Sequence, residues 1–539
     1  MAGWQRWIAW GRRHWPLFVV LLVALLMRAT HLRPMFVYGD DAEYVTVARS
    51  LAHDPRALAY PDLEGFGTFP FVSHPPLMLY LFAIAGRIVG DVEVGAVLVS
   101  ILLGTATCGL TYAIGTHVAG RVNGALAGLV LAILPAHVTL SRKAFLDVGL
   151  TFFMTLTILF ALVWLQRRTL GWALATGCAA GATALSKLTG VLVFGPLIAI
   201  FAYAYWFERR DAAPDASAEL EAIRAKREAL RQGAWALVPV AALGLAYLSL
   251  VWYLRASRDL FDKLGWQFGR VTATHTGSSR APRAWHWYFT GNEGVFDRFT
   301  WGFAILALLG ILVLVAWLRH QPGRRATALL LLVWPLSILI AFTLSTRKEW
   351  FYVLPAAPGL AILAALPFSH ALSQQWAWTR RLAQWRLPRP QATFLAALAG
   401  LLILALAPPA VEATRDVVFE PRSYGYGVKE AAQWIHERDP QAAQIGTLLG
   451  RFTLKYYNDQ PTYHWYVPHE YVESEIQKGH VKYVVRDDYL KLAYEAEWME
   501  QLVASHAGQV VQAYESESGR VRVTVYELRP ASANATAPA

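Results

Sequence analysis

The stretch VGAVLVSILLGTATCGLTYAIGTHV, Val94 to Val118, contains no Asp, Glu, Lys or Arg. A helix needs roughly 20 apolar residues to cross a bilayer, and this run is longer than that. Comparable runs are Pro16 to Leu32, Val148 to Leu165, Ala234 to Leu254, Phe303 to Leu318 and Phe394 to Ala413. The whole chain of 539 residues is 55% hydrophobic and only 16% charged. These features predict an integral membrane protein with many spans.

The positions of the basic residues, which give a net charge of +11, and of the two cysteines argue against nucleic-acid binding, a disulfide framework and a metal site. The basic residues stand in short loops between apolar runs, as in the cytoplasmic loops of membrane proteins, so they do not indicate nucleic-acid binding. Cys108 and Cys178 each fall inside an apolar run. Neither has ligand spacing, so they indicate no disulfide framework and no metal site.

The alternation of basic loops predicts the topology. Arg12 and Arg13 place the N-terminus in the cytoplasm, and the first apolar run lacks a small-residue cleavage site, so we expect a retained anchor. Continued along the chain, the alternation gives about 11 spans and places the C-terminal region outside. Leu77 to Val89 is short for a span, and we expect it to lie along the membrane interface. The run Gly171 to Tyr205 is too long for one span, and we expect a break at Leu185 to Gly190.

The composition changes after the last apolar run and divides the chain into three parts. Residues 1–413 are predicted to form the membrane domain. Over residues 420–530, short apolar segments such as VKYVVRD alternate with helical ones such as VKEAAQWIHERD, which predicts a small soluble α/β domain on the outer side of the membrane. Residues 531–539 form a tail that we expect to be disordered.

Two adjacent carboxylates, Asp40 and Asp41, stand at the head of an amphipathic helix just after the first span. The structural interpretation is strong, because Asp40 and Glu43 have the spacing of a capping box and acidic residues favour a helix N-terminus. Capping needs only one carboxylate, however. The second acidic residue at the membrane surface therefore suggests chemistry as well.

Other outer loops carry side chains of the types used in catalysis. They are His74, Arg142, Lys143, Asp147, Lys187, Arg347, Lys348 and Tyr352. Any single Lys or Arg at the end of a span can be explained by snorkelling of its charge to the membrane surface. Several loops on one face are harder to explain in that way. Carboxylates beside cations and a Tyr suit a reaction in which a phosphate leaves and a carboxylate activates an acceptor.

The order of five motifs resembles the GT-C superfamily of polyprenyl-phosphate-sugar glycosyltransferases. The motifs are GDDAEYVTVARSL, HPPLMLYLF, SRKAFLDVGLTFF, GATALSKLTG and RKEWFYVLPAAPGLAILAA, within Trp15 to Leu366. The chain is most similar to the branch that contains protein O-mannosyltransferases and lipid A aminoarabinose transferases. The C-terminal region is similar to the extracytoplasmic domain of bacterial members. The resemblance implies a polytopic GT-C fold and an inverting glycosyltransferase of the inner membrane.

The resemblance also implies roles for individual residues. Asp40 matches the catalytic carboxylate of the first outer loop, and Asp41 stands where Glu is usual. Asp147 matches the acidic residue that opens the fourth span. Basic positions expected near the lipid phosphate are matched by Lys187 and Lys348. The remaining expected substrate-binding residues are His74, Arg142, Arg347 and Tyr352.

The implied partners are a polyprenyl-phosphate-linked sugar, an extracytoplasmic acceptor and the lipid bilayer. No cofactor is expected, and a divalent cation at Asp40 and Asp41 is the less favoured alternative. Two other functions are weighed: a transporter or flippase of lipid-linked sugars, and a membrane-anchored binding protein. The clustering of charges on one face argues against the transporter. The five motifs would be unexplained in a binding protein.

Overall fold

A computed structural model describes residues 2–32, 39–206, 216–271, 284, 286–290, 301–346, 348–372, 411, 427–447, 450–487, 493–515 and 522–529. The predicted span Phe394 to Ala413, apart from Val411, lies outside the described residues, and so do Arg347, the boundary near residue 420 and the tail 531–539. The predicted domain boundaries and tail therefore stay predictions.

The first 372 residues are mostly helical. The helices are α1 (Ala2–Ala29), α2 (Gly39–His53), α3 (Leu77–Val89), α4 (Val92–Ala119), α5 (Arg121–Ile133), α6 (Pro135–Ser141), α7 (Leu146–Arg167), α8 (Leu170–Ser186), α9 (Phe194–Trp206), α10 (Ala216–Tyr253), α11 (Ser257–Val271), α12 (Trp287–Thr290), α13 (Trp301–His320), α14 (Arg325–Leu344) and α15 (Ala357–Leu372). Two 3₁₀ helices, Leu188–Val193 and Trp350–Ala356, precede α9 and α15. A short hairpin of β1 (Ala59–Tyr60) and β2 (Phe69–Pro70) follows α2.

Within the described residues, seven helices are long and apolar enough to cross a membrane, or eight if the bent pair α5–α6 is one span. Trp15–Ala29, Leu77–Val89 and Leu170–Ser186 are shorter apolar helices. The prediction of a polytopic helical membrane protein is confirmed. The count of about 11 spans stays a prediction, because it includes a run outside the described residues.

Two interruptions in the helices bring polar residues to one end of the bundle. Lys187 has extended backbone angles between α8 and the following 3₁₀ helix, at the break that the sequence predicts. Pro135 lacks an N–H and forces Leu134 out of the helical region, so α5 and α6 meet at a bend of 62°. The chain then turns through Arg142 into α7, whose first turn carries Asp147.

Helix α3 is amphipathic. Met78, Leu79 and Phe82 are buried on one face, whereas Ile88 is 80% exposed on the other. The helix can approach α4 closely because Gly95 has no side chain: a Cβ there would lie 2.4 Å from the backbone nitrogen of Gly86. An apolar exposed face suits a helix at the membrane interface, which stays our prediction for α3.

The C-terminal region contains a mixed five-stranded sheet with helices on both faces. Its elements are α16 (Val428–Arg438), β3 (Ala443–Gly446), α17 (Arg451–Asn458), β4 (Thr462–Tyr463), α18 (His469–Gln477), β5 (Val481–Asp487), α19 (Ala493–Ser505), β6 (Gln509–Glu515) and β7 (Arg522–Glu527). The strand order is β4-β3-β5-β7-β6; β3 pairs parallel with β4 and β5, and β7 pairs antiparallel with β5 and β6. Along β5, Val484 faces one apolar core, and Tyr483 and Val485 face the other.

This sheet domain is docked on the face of the membrane domain that carries α2. Buried Phe452 of α17 belongs to the same apolar cluster as the inward face of α2. The Arg49 side chain of α2 donates a hydrogen bond of 2.8 Å to the Tyr456 carbonyl. Glu93, at the start of α4, accepts hydrogen bonds from Lys429, at 3.2 Å, and from the Tyr457 hydroxyl. The C-terminal domain and Asp40 therefore share one side of the protein.

Arg142 closes the end of α1. Its guanidinium donates hydrogen bonds to the carbonyls of Met27 (3.2 Å), Arg28 (3.0 Å), Thr30 (2.8 Å) and His31 (3.0 Å). The last carbonyls of a helix have no partner within the helix, and a cation there also interacts favourably with the helix dipole.

We expect Arg142→Gln to lower the free energy of unfolding by about 1 to 3 kcal/mol, because buried carbonyls lose their donor. Arg142→Lys should restore part of it. The measurement is thermal unfolding in detergent, with Arg121→Gln, an exposed arginine at the start of α5, as the control. Unchanged stability in Arg142→Gln together with weakened donor binding would instead support the predicted role in substrate binding.

Candidate active site

The two aspartates at the head of α2 have different environments. Asp41 is buried and its Oδ1 accepts a hydrogen bond of 3.0 Å from the Ala42 N–H. Asp40 is half-buried. Both lie in the first turn of α2, which begins at Gly39, where the helix dipole stabilises negative charge. Only Asp40 is partly accessible to a substrate.

The expected capping box does not form at this helix. Glu43 accepts a hydrogen bond of 2.8 Å from the Tyr60 hydroxyl of β1 through Oε1, instead of reaching back to the helix start. The helix already includes Gly39, so Asp40 stands inside its first turn rather than before it. The capping prediction is therefore wrong for this pair, and Asp40 is left available for another role.

Asp147 and Lys187 form a buried ion pair. The Lys187 Nζ lies 2.9 Å from Oδ1 and 2.7 Å from Oδ2 of Asp147, and the side chains are only 5% and 1% exposed. Asp147 stands in the first turn of α7, and Lys187 at the break after α8. A buried charge is stable only with a partner, so each residue fixes the position of the other.

Aromatic side chains connect this pair to α2. The Lys187 Nζ lies 5.5 Å from the ring centroid of Phe351 and 5.3 Å from that of Tyr352. Phe351 contacts Phe145 at 5.6 Å between centroids, and Phe145 contacts Tyr44 at 6.4 Å. Tyr44 lies one turn after Asp40 on α2. The contacts thus run without interruption from the ion pair to α2.

The ring of Tyr44 also packs edge-on against His74, with centroids 6.1 Å apart. Burial raises the pKa of Tyr44 well above its usual value, and the negative charges of Asp40, Glu43 and Asp147 raise it further. Tyr44 therefore stays protonated at physiological pH. The carboxylates of Asp40 on α2 and Asp147 on α7 therefore both lie within electrostatic range of this hydroxyl.

Lys348 lies just before the 3₁₀ helix that carries Tyr352. Its side chain is only 2% exposed, and its Nζ donates a hydrogen bond to the Ser345 carbonyl. Tyr352 packs against Phe342 at 5.2 Å between centroids and faces Lys187. The structure therefore brings Asp40, His74, Asp147, Lys187 and Tyr352 together.

The other predicted site residues lie elsewhere or are not described. The donors of Arg142 go to α1, as shown above, and Arg347 lies outside the described residues. The catalytic and substrate-binding roles of all these residues stay predictions.

Sequence reasoning missed the contribution of the C-terminal domain. Oε1 of Glu64, in the β1–β2 loop, lies 3.1 Å from Nη1 of Arg451 and 2.8 Å from Nε2 of His464. His464 is buried at this contact, with only 4% of its surface exposed. Burial lowers the pKa of His464, whereas its hydrogen bond to Glu64 raises it. No local pattern could have shown this contact, because it joins residues 400 positions apart.

Few of the described side chains near Asp40 could coordinate a divalent cation. Within the described residues, no group of three or more His, Cys, Asp or Glu side chains is arranged to hold a metal ion. Asp41 is buried and Asp147 is paired with Lys187, so Asp40 would be its main carboxylate. The cation stays the less favoured alternative.

We expect Lys187→Met to reduce the free energy of unfolding by about 3 to 5 kcal/mol, because it leaves the Asp147 carboxylate buried without a partner. The double variant Lys187→Met with Asp147→Asn should recover most of that loss, since it removes both charges. Denaturation in detergent measures the free energy of unfolding of the unmodified protein, the single variant and the double variant. If the single and double variants were equally unstable, the charge pair would not be the source of the effect.

Comparisons with known proteins agree with this fold. Residues 73–214 match the family model described as dolichyl-phosphate-mannose-protein mannosyltransferase. A search of the curated proteins finds no significant match. ArnT from Cupriavidus metallidurans in the apo state is 17% identical with a TM-score of 0.60, covering 96% of this chain and 98% of that chain.

Two further solved structures have the same architecture. ArnT from Cupriavidus metallidurans bound to undecaprenyl phosphate is 18% identical with a TM-score of 0.57, covering 99% of both chains. The archaeal oligosaccharyltransferase AglB from Archaeoglobus fulgidus, in complex with an inhibitory peptide and a dolichol-phosphate, is 15% identical with a TM-score of 0.61, covering 95% of this chain and 74% of that chain. These similarities show that the chain shares the fold of these solved proteins, and its residues 73–214 match the mannosyltransferase family model.

Proposed function

We propose that this protein transfers a sugar from a polyprenyl-phosphate donor to an extracytoplasmic acceptor, with inversion at the anomeric carbon. The observation that carries the proposal is the half-buried carboxylate of Asp40 at the same site as the buried Asp147–Lys187 pair. The solved relatives with undecaprenyl phosphate and with dolichol-phosphate support the donor class. The match to the mannosyltransferase family model supports a sugar donor of this type.

In the proposed reaction, the Asp40 carboxylate accepts the proton of the acceptor hydroxyl. The acceptor oxygen then forms a bond to the anomeric carbon as the bond from that carbon to the phosphate oxygen breaks. The electron pair of the broken bond leaves with the polyprenyl phosphate. Asp40 lies in the first turn of α2 and is half-buried, so its carboxylate is accessible to the acceptor as a general base must be.

The leaving phosphate requires positive charge near it. Lys187 has three N–H donors, and the two oxygens of Asp147 engage two of them. The third donor can bond a phosphate oxygen, while Asp147 holds the ammonium in place. Lys348 is the second candidate cation, and its hydrogen bond to the Ser345 carbonyl holds the ammonium in position.

We infer that the face carrying Asp40 and the C-terminal domain is extracytoplasmic, with the N-terminus in the cytoplasm of a cell whose inner membrane holds the protein. The basic loops support this orientation, because Arg12 and Arg13 precede the first apolar helix. The docking of the C-terminal domain on α2 means that the orientation of one determines that of the other.

Cysteines introduced at Arg56 and Gln477, which are both exposed, should react with a membrane-impermeant maleimide in sealed right-side-out vesicles. A cysteine at Arg231, exposed near the start of the membrane part of α10, should react only after permeabilisation. Gel-shift labelling in a background without Cys178 measures all three. Reaction at Arg231→Cys in sealed vesicles would contradict the orientation.

We expect Asp40→Asn to reduce turnover by about 100- to 10,000-fold, the usual effect of losing a general base. Loss of the charge at Asp40 removes only the interaction with the helix dipole, about 0.3 to 1 kcal/mol, so thermal stability should stay close to that of the unmodified protein. Turnover is measured as the release of polyprenyl phosphate from polyprenyl-phosphate-linked hexoses and pentoses. Thermal stability is measured by unfolding in detergent. Substantial activity in Asp40→Asn would remove Asp40 from the role of base.

A further inference from the structure

A second polar group lies on α2 beside Asp40. Glu43 follows Asp40 by three positions, so both side chains lie on one face of the helix. The Tyr60 hydroxyl donates to Glu43 Oε1 at 2.8 Å, and Tyr60 also bonds Ser73 at 2.9 Å between oxygens. A Tyr hydroxyl has one proton, so Ser73 must be the donor in its bond to Tyr60. All four residues are partly exposed, in contrast to their buried neighbours.

The hydrogen bonds of Glu43 leave acceptor capacity. Among the described residues, only Tyr60 donates to its carboxylate, through Oε1. A carboxylate can accept several hydrogen bonds, so Oε2 is available to a donor on a bound molecule. The proposed mechanism does not use this group.

The hydrogen-bonding groups on the two sides of Asp40 differ. Toward Asp147 lies the buried ammonium of Lys187, which the proposed mechanism assigns to the phosphate. Toward Glu43 lie a second carboxylate and two hydroxyls, with the cations Lys263 and Arg451 within electrostatic range of that carboxylate. A phosphate would be repelled by the Glu43 carboxylate, whereas hydroxyl groups can donate to it. The Glu43 side of Asp40 therefore suits the acceptor rather than the donor.

The C-terminal domain forms a wall on this side. The ring of Phe452 contacts that of Tyr60 at 6.2 Å between centroids. The loop between β1 and β2 is held by the contacts of Glu64 with Arg451 and His464, and by a hydrogen bond of 2.7 Å from the Thr462 N–H to the Leu63 carbonyl. Tyr60 is thus fixed from two sides, by α2 and by the C-terminal domain.

We propose that Glu43, Tyr60 and Ser73 form an acceptor-binding subsite that takes a hydroxyl-rich acceptor, with the C-terminal domain as its wall. This inference rests on the proposed function, because it assumes that Asp40 activates the acceptor. The Glu43 carboxylate accepts a hydrogen bond from one acceptor hydroxyl while Asp40 receives the proton of the reacting one.

The pH dependence of acceptor binding provides an independent test of the subsite, because Glu43 can gain a proton. Burial raises the pKa of Glu43 to about 7, and the charge of Asp40 raises it further, against the opposing effects of Tyr60 on β1, Lys263 on α11 and Arg451 on α17. Below that pH the carboxyl group becomes neutral and loses its charge-assisted acceptance of hydrogen bonds. Acceptor binding should therefore weaken as the pH falls through about 7.

The test uses the full-length protein, the polyprenyl-phosphate sugar active in the Asp40 assay, and the envelope fraction of the producing cell as the source of acceptor. In Glu43→Gln, the half-saturating amount of envelope fraction should rise about tenfold or more, the effect of losing a charged hydrogen-bond acceptor. Affinity for undecaprenyl phosphate should not change. The rise in half-saturation at low pH should disappear, because Gln does not titrate.

Two variants keep the result interpretable. Tyr60→Phe should raise half-saturation less than Glu43→Gln, because the carboxylate remains. Asp54→Asn, an exposed carboxylate just after α2, is the matched control and should behave as the unmodified protein. Thermal unfolding in detergent identifies any variant that fails to fold.

The outcomes separate the subsite from the proposed function. Unmodified protein that releases no polyprenyl phosphate from any donor overturns the proposed function and the subsite with it. Active protein whose Glu43→Gln and Tyr60→Phe variants keep normal half-saturation and pH dependence overturns the subsite alone. Loss of undecaprenyl phosphate affinity in Glu43→Gln would place Glu43 on the donor side, which also contradicts the proposal.

Discussion

A charge that leaves water must have a partner, and the Asp147–Lys187 pair satisfies that constraint at the centre of the site. It joins the first turn of α7 to the break after α8, two elements that are 40 residues apart. The desolvation cost of two charges is large, so the pair is weak evidence of added stability. The pair instead fixes position, because Asp147 holds the Lys187 ammonium at the break after α8.

The second constraint is the docking of the C-terminal domain. Phe452 shares an apolar cluster with α2, and the ionic contacts at Glu64 and Glu93 are mostly buried at the same interface. A soluble domain tethered by a loop would leave the outer face open. Here it holds the β1–β2 loop against α2, so the helix that carries Asp40 packs between the membrane domain and the sheet domain. Helix α2 and the C-terminal domain are therefore packed together.

Residue type did not decide the role of each charged side chain in the site. Asp40 and Asp41 are adjacent and chemically equal, but helix geometry turns Asp41 into the core and leaves Asp40 half-buried. Arg142 stands in a motif full of cations, and its donors go to the carbonyls at the end of α1. Glu43 has capping-box spacing and instead bonds Tyr60. For each of these residues, packing against other elements decided the environment of the side chain, and the local sequence pattern did not predict it.

The sequence by itself determined the polytopic helical class, the helix break at Lys187 and the sheet domain after the last apolar run, because length, hydropathy and periodicity are local properties of the chain. The ordered motifs also identified five of the side chains that meet at the site. Only the tertiary structure decided that Asp147 neutralises Lys187, that Glu43 faces Tyr60, and that His464 is buried against Glu64. These contacts depend on packing between segments up to 400 positions apart, for which a single sequence carries no local signal.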